Sequence, residues 1–380
     1  MHISYISTYD AQNIISWSGT PYFIAKTLEE QGFLVNYIGN LKIKNLLWHR
    51  IKRYSYHRFK NEIYDFERDP RVIKSYSEQI SLRLKDIKTD IIVSNSTIPI
   101  ALLDTIHPIV VFTDASFAGM QEFYPKFIKM CKETKRYGNL MEQEALNRCG
   151  LVIYSSEWAM KSTINNYHID HSKLKVLNYG ANIDQIRDSD RIDKLIKSRD
   201  RGICHLLYVG VEWERKGGDT AIELVKKLND DGFKSDLTII GEQLKNQKNY
   251  PNYVHFTGFI KKSEKKGIEL MEKIYSDSHF FVLPTIADCT PIVFPEANSF
   301  GIPVLTTNVG GNPSVIKNDV NGKLFEIDSF LDESFIYIIE LFGDYEKYIA
   351  MAQSSFNEYQ TRLNWRIIGK QLKEYLLEIK

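Results

Sequence analysis

Short apolar runs bounded by turn residues recur along this chain, and between them apolar residues return every three or four positions. The first run, Ile3 to Ser7, predicts a strand. A polar turn follows, Trp17-Ser18-Gly19-Thr20-Pro21. From Tyr22 to Gln31, the positions Phe23, Ala25 and Leu28 form one stripe and predict a helix that Gly32 stops. Phe33 to Ile38 is the next strand. Strand, turn, helix and strand within about forty residues make a βαβ unit, the building block of parallel sheets. Asp90 to Ser94, Ile109 to Phe112, Leu151 to Tyr154 and Leu174 to Leu177 continue the series as unbroken apolar runs, the pattern of strands covered on both faces. Residues 185–203 are charged and mixed without a clear period and read as a linker. A second series starts at His205 to Gly210 and runs through a helix at Thr220 to Leu228 and strands at Leu237 to Gly241 and Val254 to Gly258. It goes on with a helix near Gly267 to Ser276, a strand at Phe280 to Pro284, a helix around Phe294 to Ser299 and a strand at Pro303 to Thr307. The last stretch, Trp365 to Ile379, is helical by pattern. The fold class is therefore α/β, with two parallel-sheet domains in series, 1–184 and 185–364, followed by helix 365–380. Ligands of such sheets sit outside the carboxyl ends of the strands, so the chemistry should lie just after them.

Composition narrows the function. The chain has 380 residues, of which 43% are hydrophobic and 26% charged, which excludes a disordered tail or a fibre. Lys plus Arg number 49 against 48 Asp plus Glu, a net charge of +1 that speaks against general nucleic-acid binding. The sum conceals segregation. Residues 1–180 carry 23 cations and 18 acids, net +5, and the remainder 26 and 30, net −4. Seven of those cations lie in residues 41–60, with no acid among them: Lys42, Lys44, Arg50, Lys52, Arg53, Arg58 and Lys60. Leu46, Leu47, Trp48, Ile51, Tyr54, Tyr56 and Phe59 are interleaved. That mixture suits peripheral contact with an anionic membrane, and equally an anionic acceptor or a solvated flank. Cys131, Cys149, Cys204 and Cys289 form no CxxC pair and read as reduced thiols of a cytoplasmic protein. The first residues lack signal-peptide features, and no apolar run approaches the ~18 residues of a membrane span.

The densest stretch runs from Phe281 to Phe325. It contains Asp288-Cys289-Thr290-Pro291-Ile292-Val293-Phe294-Pro295-Glu296-Ala297, then Gly301-Ile302-Pro303-Val304-Leu305, Gly310-Gly311 and Asn321-Gly322. This resembles the retaining GT-B glycosyltransferases of family 4, which carry two acids separated by seven residues, a Gly-x-Pro-Val strand, a Gly-Gly turn and an Asn-Gly. The resemblance implies a GT-B fold, two Rossmann-like domains facing across a cleft, with helix 365–380 crossing back to pack on the first. It implies transfer of a hexose from a nucleotide diphosphate sugar to a glycan or lipid-linked acceptor, within polysaccharide or glycoconjugate assembly at the inner membrane face. Glu296 would grip the ribose hydroxyls, since a carboxylate accepts two hydrogen bonds at once. Asp288 would touch the donor sugar. The amides of Ile292 and Val293, at a helix start, would hold the diphosphate. Pro291 stands where relatives have glycine and offers no N–H. Gly258, Phe259 and Ile260, at the end of a strand, count among the donor-binding residues.

A second constellation is Glu212-Trp213-Glu214-Arg215-Lys216-Gly217-Gly218, where relatives carry a basic pair. Lys216 and Arg215 would stabilise the negative charge that grows on the leaving diphosphate. In the first domain, Gly19 and Thr20 would let the chain approach the diphosphate closely. Asp114, near where many relatives have a histidine, would face the sugar or the acceptor. No cofactor or metal is expected, and the resemblance leaves UDP and GDP both open. Asp188-Ser189-Asp190 reads as a solvated turn, and His168-Ile169-Asp170-His171 as a turn before a strand. Other readings stay open on the residues alone: a GT-B epimerase or phosphorylase, or a sugar-nucleotide-binding subunit of an assembly complex. No GxGxxG follows a strand, which weighs against a nicotinamide dehydrogenase.

Overall fold

The computed structural model describes residues 1–184, 187–241 and 250–379. Gln185, Ile186 and Lys380, which belong to the linker and last-helix readings, lie outside them. By packing, the chain divides into two units: Met1–Asn178 joined by the segment from Ile368, and Tyr179–Ile367.

Unit 1 holds strands β1 (His2–Ile6), β2 (Leu34–Ile38), β3 (Ile91–Ser94), β4 (Ile109–Thr113), β5 (Cys149–Tyr154) and β6 (Leu174–Val176), in the order β2-β1-β3-β4-β5-β6. Unit 2 holds β7 (Cys204–Gly210), β8 (Ser235–Gly241), β9 (Val254–Gly258), β10 (Phe280–Leu283), β11 (Val304–Thr307) and β12 (Gly322–Phe325), in the order β12-β11-β10-β7-β8-β9. Every pairing is parallel. The central strands are buried along their whole length, as the unbroken apolar runs require. In unit 2 the chain winds outward from β7 on one side and from β10 on the other. The strand order thus reverses between β7 and β10, and a crevice opens at their carboxyl ends.

Several helices go beyond the pattern read in the sequence. The segment read as a linker contains a helix, Ser189–Ser198, which the Asp188 side chain caps through Arg191 N–H at 2.8 Å. Ile192 and Ile196, four residues apart, are its buried stripe, too short a signal to stand out among so many charges. Residues 46–60 are helical. Helices Phe330–Gly343 and Tyr345–Thr361 cover unit 2, and the second carries Tyr348 into the core.

Arg199 ties that cover down. Its guanidinium is buried and donates to the carbonyls of Ser276, Phe300 and Gly301 and to the Tyr348 hydroxyl. From Ile368 on, the Trp365–Glu378 helix packs on unit 1: Gly369 lies against Thr27, and Lys373 Nζ donates to the Gln31 carbonyl at 2.8 Å. Among the described residues, no helix is long and apolar enough to cross a membrane.

Candidate functional site

The segment after β7 is shaped by two left-handed positions. Glu212 has φ of +63°, a strained conformation for a residue with a side chain. It starts the short helix Trp213–Lys216. Gly217 then turns with φ of +74°, and a Cβ there would lie 2.1 Å from the Pro284 carbonyl oxygen. Only glycine allows this approach, and it brings the segment after β7 onto the segment after β10. Arg215 binds across the junction. Its carbonyl accepts from Ile286 N–H at 2.9 Å and Thr285 Oγ1 at 3.0 Å, and its Nη1 donates to the Ala287 carbonyl at 2.6 Å.

The result is a charge cluster at the strand-order reversal. Lys216 Nζ pairs with Asp288 Oδ2, and Arg215 Nη1 lies 3.7 Å from the same oxygen. The side chains of Arg215, Lys216 and Asp288 are 12%, 12% and 9% exposed, so solvent screens them little. Two cations meet one buried carboxylate there. Glu212 also pairs with Arg215, at 2.7 Å, but is mostly exposed. Gly311 N–H donates to the Asp288 carbonyl at 2.9 Å, so the Gly-Gly turn fixes the backbone of the acid.

Glu296 lies in the Val293–Asn298 helix, which begins two residues after Pro291. Its side chain is 2% exposed. Lys262 Nζ donates to Oε1, while the buried Oε2 has only the equally buried Tyr275 hydroxyl beside it. Tyr275 lies beside it, and burial, then the Glu296 charge, push its hydroxyl pKa well up. The N–H groups of Ile292 and Val293 stand in the first turn, where a helix has no acceptor for them.

The structure therefore brings Arg215, Lys216 and Asp288 into contact and sets Glu296 inside the same unit. The other residues fall out as follows. Gly258 turns with φ of +70°, Phe259 is exposed, and Ile260 buries its side chain in the core, which leaves donor contact at 260 to the backbone. In unit 1, Gly19 has φ of +85° and caps the Thr20–Glu30 helix after left-handed Trp17 and Ser18. Thr20 is buried. Asp114 follows β4, on a different segment from Gly19 and Thr20.

The Asn321-Gly322 motif is architectural: Asn321 Nδ2 donates to Asn298 Oδ1 at 2.8 Å, and Gly322 makes room for the Val304 carbonyl. Asp188 and Asp170 cap short helices. Among the described residues, no group of three or more His, Cys, Asp or Glu is placed to hold a metal. Lys262 was not legible from sequence. It lies 34 residues from its partner, with Lys261 beside it as an equal candidate.

Unit 1 carries the concentrated cations on the Leu46–Lys60 helix. His49 faces inward and is buried, its Nδ1 3.2 Å from the Tyr64 hydroxyl. Leu47, Ile51, Tyr54 and Arg58 share the outward face by helical spacing, and Leu47, Ile51, Tyr54 and Phe59 are large apolar groups in solvent. Lys44 pairs with Glu78 and Lys52 with Glu133. Arg50, Arg53, Arg58 and Lys60 are exposed.

Comparison with known proteins bears on this arrangement. Residues 204–344 match the family model described as glycosyl transferases group 1. They include Arg215, Lys216, Lys262, Asp288 and Glu296, so the resemblance drawn from residues 281–325 holds for the unit that carries the charge cluster. The chain is 27% identical over 180 residues to the UDP-Gal:alpha-D-GlcNAc-diphosphoundecaprenol alpha-1,3-galactosyltransferase of Escherichia coli. That match covers 44% of this chain and 46% of the relative, so the chain spans about half of that protein's length.

Among solved structures, sucrose-phosphate synthase of Thermosynechococcus elongatus superposes with a TM-score of 0.72 at 14% identity, covering 100% of this chain and 99% of that one. Anabaena HepE in complex with UDP-glucose gives a TM-score of 0.63 at 16% identity, covering 100% of both chains. These likenesses establish the fold as GT-B.

Proposed function

We propose that this chain is a retaining glycosyltransferase that moves a hexose from a nucleoside diphosphate sugar to a glycan or lipid-linked acceptor. The observation that carries the reading is the buried Arg215–Lys216–Asp288 cluster at the strand-order reversal of unit 2, within the stretch that matches the glycosyltransferase family. Two cations held beside one buried acid fit a diphosphate, whose charge grows as the bond from the anomeric carbon to the phosphate oxygen breaks. The new bond forms from an acceptor oxygen to that carbon on the same face. The acceptor proton passes to the departing phosphate oxygen, so no protein base is required. Glu296 takes the ribose, Ile292 and Val293 the diphosphate, and Asp288 the sugar. Lys216 and Arg215 do the neutralising work without a metal.

The nucleotide is most simply UDP. The Escherichia coli relative is named for UDP-Gal, and HepE was solved with UDP-glucose. The acceptor reading, a sugar carried on a lipid diphosphate, follows the name of that relative and the Leu46–Lys60 helix. We assign that helix to peripheral contact with an anionic membrane. Its apolar side chains suit the acyl boundary, and each cation near the surface adds about 1 kcal/mol.

A thermal-shift panel of UDP-, GDP- and ADP-sugars, followed by transfer of labelled hexose to membrane lipids, tests the reading. UDP-sugars should raise the melting temperature, and label should enter the lipid fraction. Binding with neither transfer nor slow donor hydrolysis would instead favour a sugar-nucleotide-binding subunit. No shift with any nucleotide would overturn the site.

A further inference from the structure

The loop after β9 carries Lys261 and Lys262 and runs into the α-helix Lys265–Asp277. Lys261 pairs with Glu264 and Lys265 with Glu269, all at exposed positions. Lys262 turns the other way, onto Glu296. Its backbone is held on both sides. Ile260 is packed in the core, and the Lys261 carbonyl accepts from Glu264 N–H at 3.2 Å and is crowded by Gly267, where a Cβ would lie 2.1 Å away. The lysine therefore leaves a fixed point with its ammonium aimed inward.

A carboxylate as buried as Glu296 is costly without a cation, and removing one member of such a pair is strongly destabilising. Yet the pairing is incomplete. Lys262 takes Oε1 only, and the buried Oε2 is left with no cation, the Tyr275 hydroxyl being the polar group beside it. An ionised carboxylate offers about four lone-pair sites. With one taken by the ammonium and one facing the buried Tyr275 hydroxyl, two remain for hydroxyl donors. Lys262 itself is 36% exposed and so lies on the solvent side of the carboxylate, on a flexible stem that can yield to an entering ligand and keep its bond.

Resting on the reading of Glu296 as the ribose acceptor, we infer that Lys262 is a positioning residue of the nucleotide site. It anchors Oε1 so that the remaining lone pairs of Glu296 meet a vicinal diol, and the site thereby selects ribonucleotides over 2′-deoxyribonucleotides. No role at this site has been assigned to Lys262 by the family pattern in residues 281–325, which begins after it.

Calorimetric titration of UDP and 2′-deoxy-UDP into the full chain tests this without an acceptor. Wild type should prefer UDP by about tenfold or more, the value of one charge-assisted hydrogen bond. Lys262→Met should weaken UDP by about tenfold and bring the two ligands close to parity. Lys262→Arg should restore both affinity and preference, and Lys261→Met should behave as wild type. A melting curve for each variant checks that it is folded. Unchanged UDP affinity and preference in Lys262→Met would overturn the inference, as would an equal loss in Lys261→Met, which would mean bulk charge alone. If Lys262→Met does not fold, loss of the preference in a folded Lys262→Arg overturns it, and retention supports it. If wild type binds neither UDP nor GDP nor ADP, the nucleotide site itself falls, a result distinct from the others.

Discussion

At the carboxyl side of its sheet, unit 2 turns cations inward onto buried acids, Lys216 onto Asp288 and Lys262 onto Glu296. Unit 1 does the reverse. It sets Arg50, Arg53, Arg58 and Lys60 outward on one helix, among exposed Leu47, Ile51, Tyr54 and Phe59. Both sheets are parallel and six-stranded, so the difference lies in the loops and helices that finish them. Charges held inside are fixed and poorly screened, which suits a small polyanion bound in one pose. Charges displayed among apolar groups are exposed and salt-sensitive, which suits a broad anionic face. The proposed diphosphate site and the proposed membrane face would thus meet negative charge in two different ways, which can be broken separately.

The largest effect is expected at the buried cluster. Lys216→Ala should lower hexose transfer by about 100- to 1,000-fold, the usual loss when one preorganised group facing developing charge is removed. Steady-state transfer assays at saturating donor measure it, and a loss below about tenfold would detach Lys216 from the chemistry. Membrane partition should be unaffected. The displayed charges give the converse experiment. Changing Arg50, Arg53 and Arg58 together to Glu should weaken co-sedimentation with phosphatidylglycerol vesicles by about 100-fold or more, at about 1 kcal/mol per cation. Nucleotide binding should stay as in wild type. Salt should weaken the vesicle interaction of the native chain, and salt-insensitive binding would remove the electrostatic part of the reading.

A smaller effect separates the units by pH. In unit 2, burial, with Arg199 and His205 nearby, lowers the His279 pKa to about 2, and its Nδ1 accepts from His205 N–H at 3.0 Å. His279 is neutral in the fold, whereas the unfolded chain takes up a proton below about pH 6.5. Its contribution is therefore full above pH 6.5 and is lost as pH falls from there toward 2. By pH 5 the loss is about 2 kcal/mol. The neighbouring His205 has the opposite sign. Its hydrogen bond to Asp236 raises its pKa, so its contribution is present below pH 6.5 and lost as pH rises through the raised value. His279→Asn should melt lower than wild type at pH 7, yet change less between pH 7 and pH 5. Equal slopes would contradict the assignment.

Legibility followed the range of the interactions. Strand runs, the Lys216-Gly217 turn and the Asp288–Glu296 spacing are local and stand out in the sequence. Gly217 also explains why: its contact with Pro284 makes a local motif do a tertiary job. The Lys262–Glu296 pair was hidden, because nothing in the chain says which of two adjacent lysines reaches a carboxylate 34 residues on. The Ser189–Ser198 helix was missed because two buried isoleucines are a weak period amid charges. The seven cations of residues 41–60 were visible as composition, but not that Lys44 and Lys52 are spent on Glu78 and Glu133. The displayed charge is thus smaller than the count.

The most direct measurement is the affinity of UDP for wild type and for Glu296→Ala, by calorimetry at one salt concentration. If Glu296 accepts two ribose hydroxyls, its loss should weaken UDP by about 100-fold or more, at about 1.5–3 kcal/mol for each hydrogen bond to a charged group. Equal affinities, in a variant that melts cooperatively, would contradict the placement of the nucleotide in unit 2.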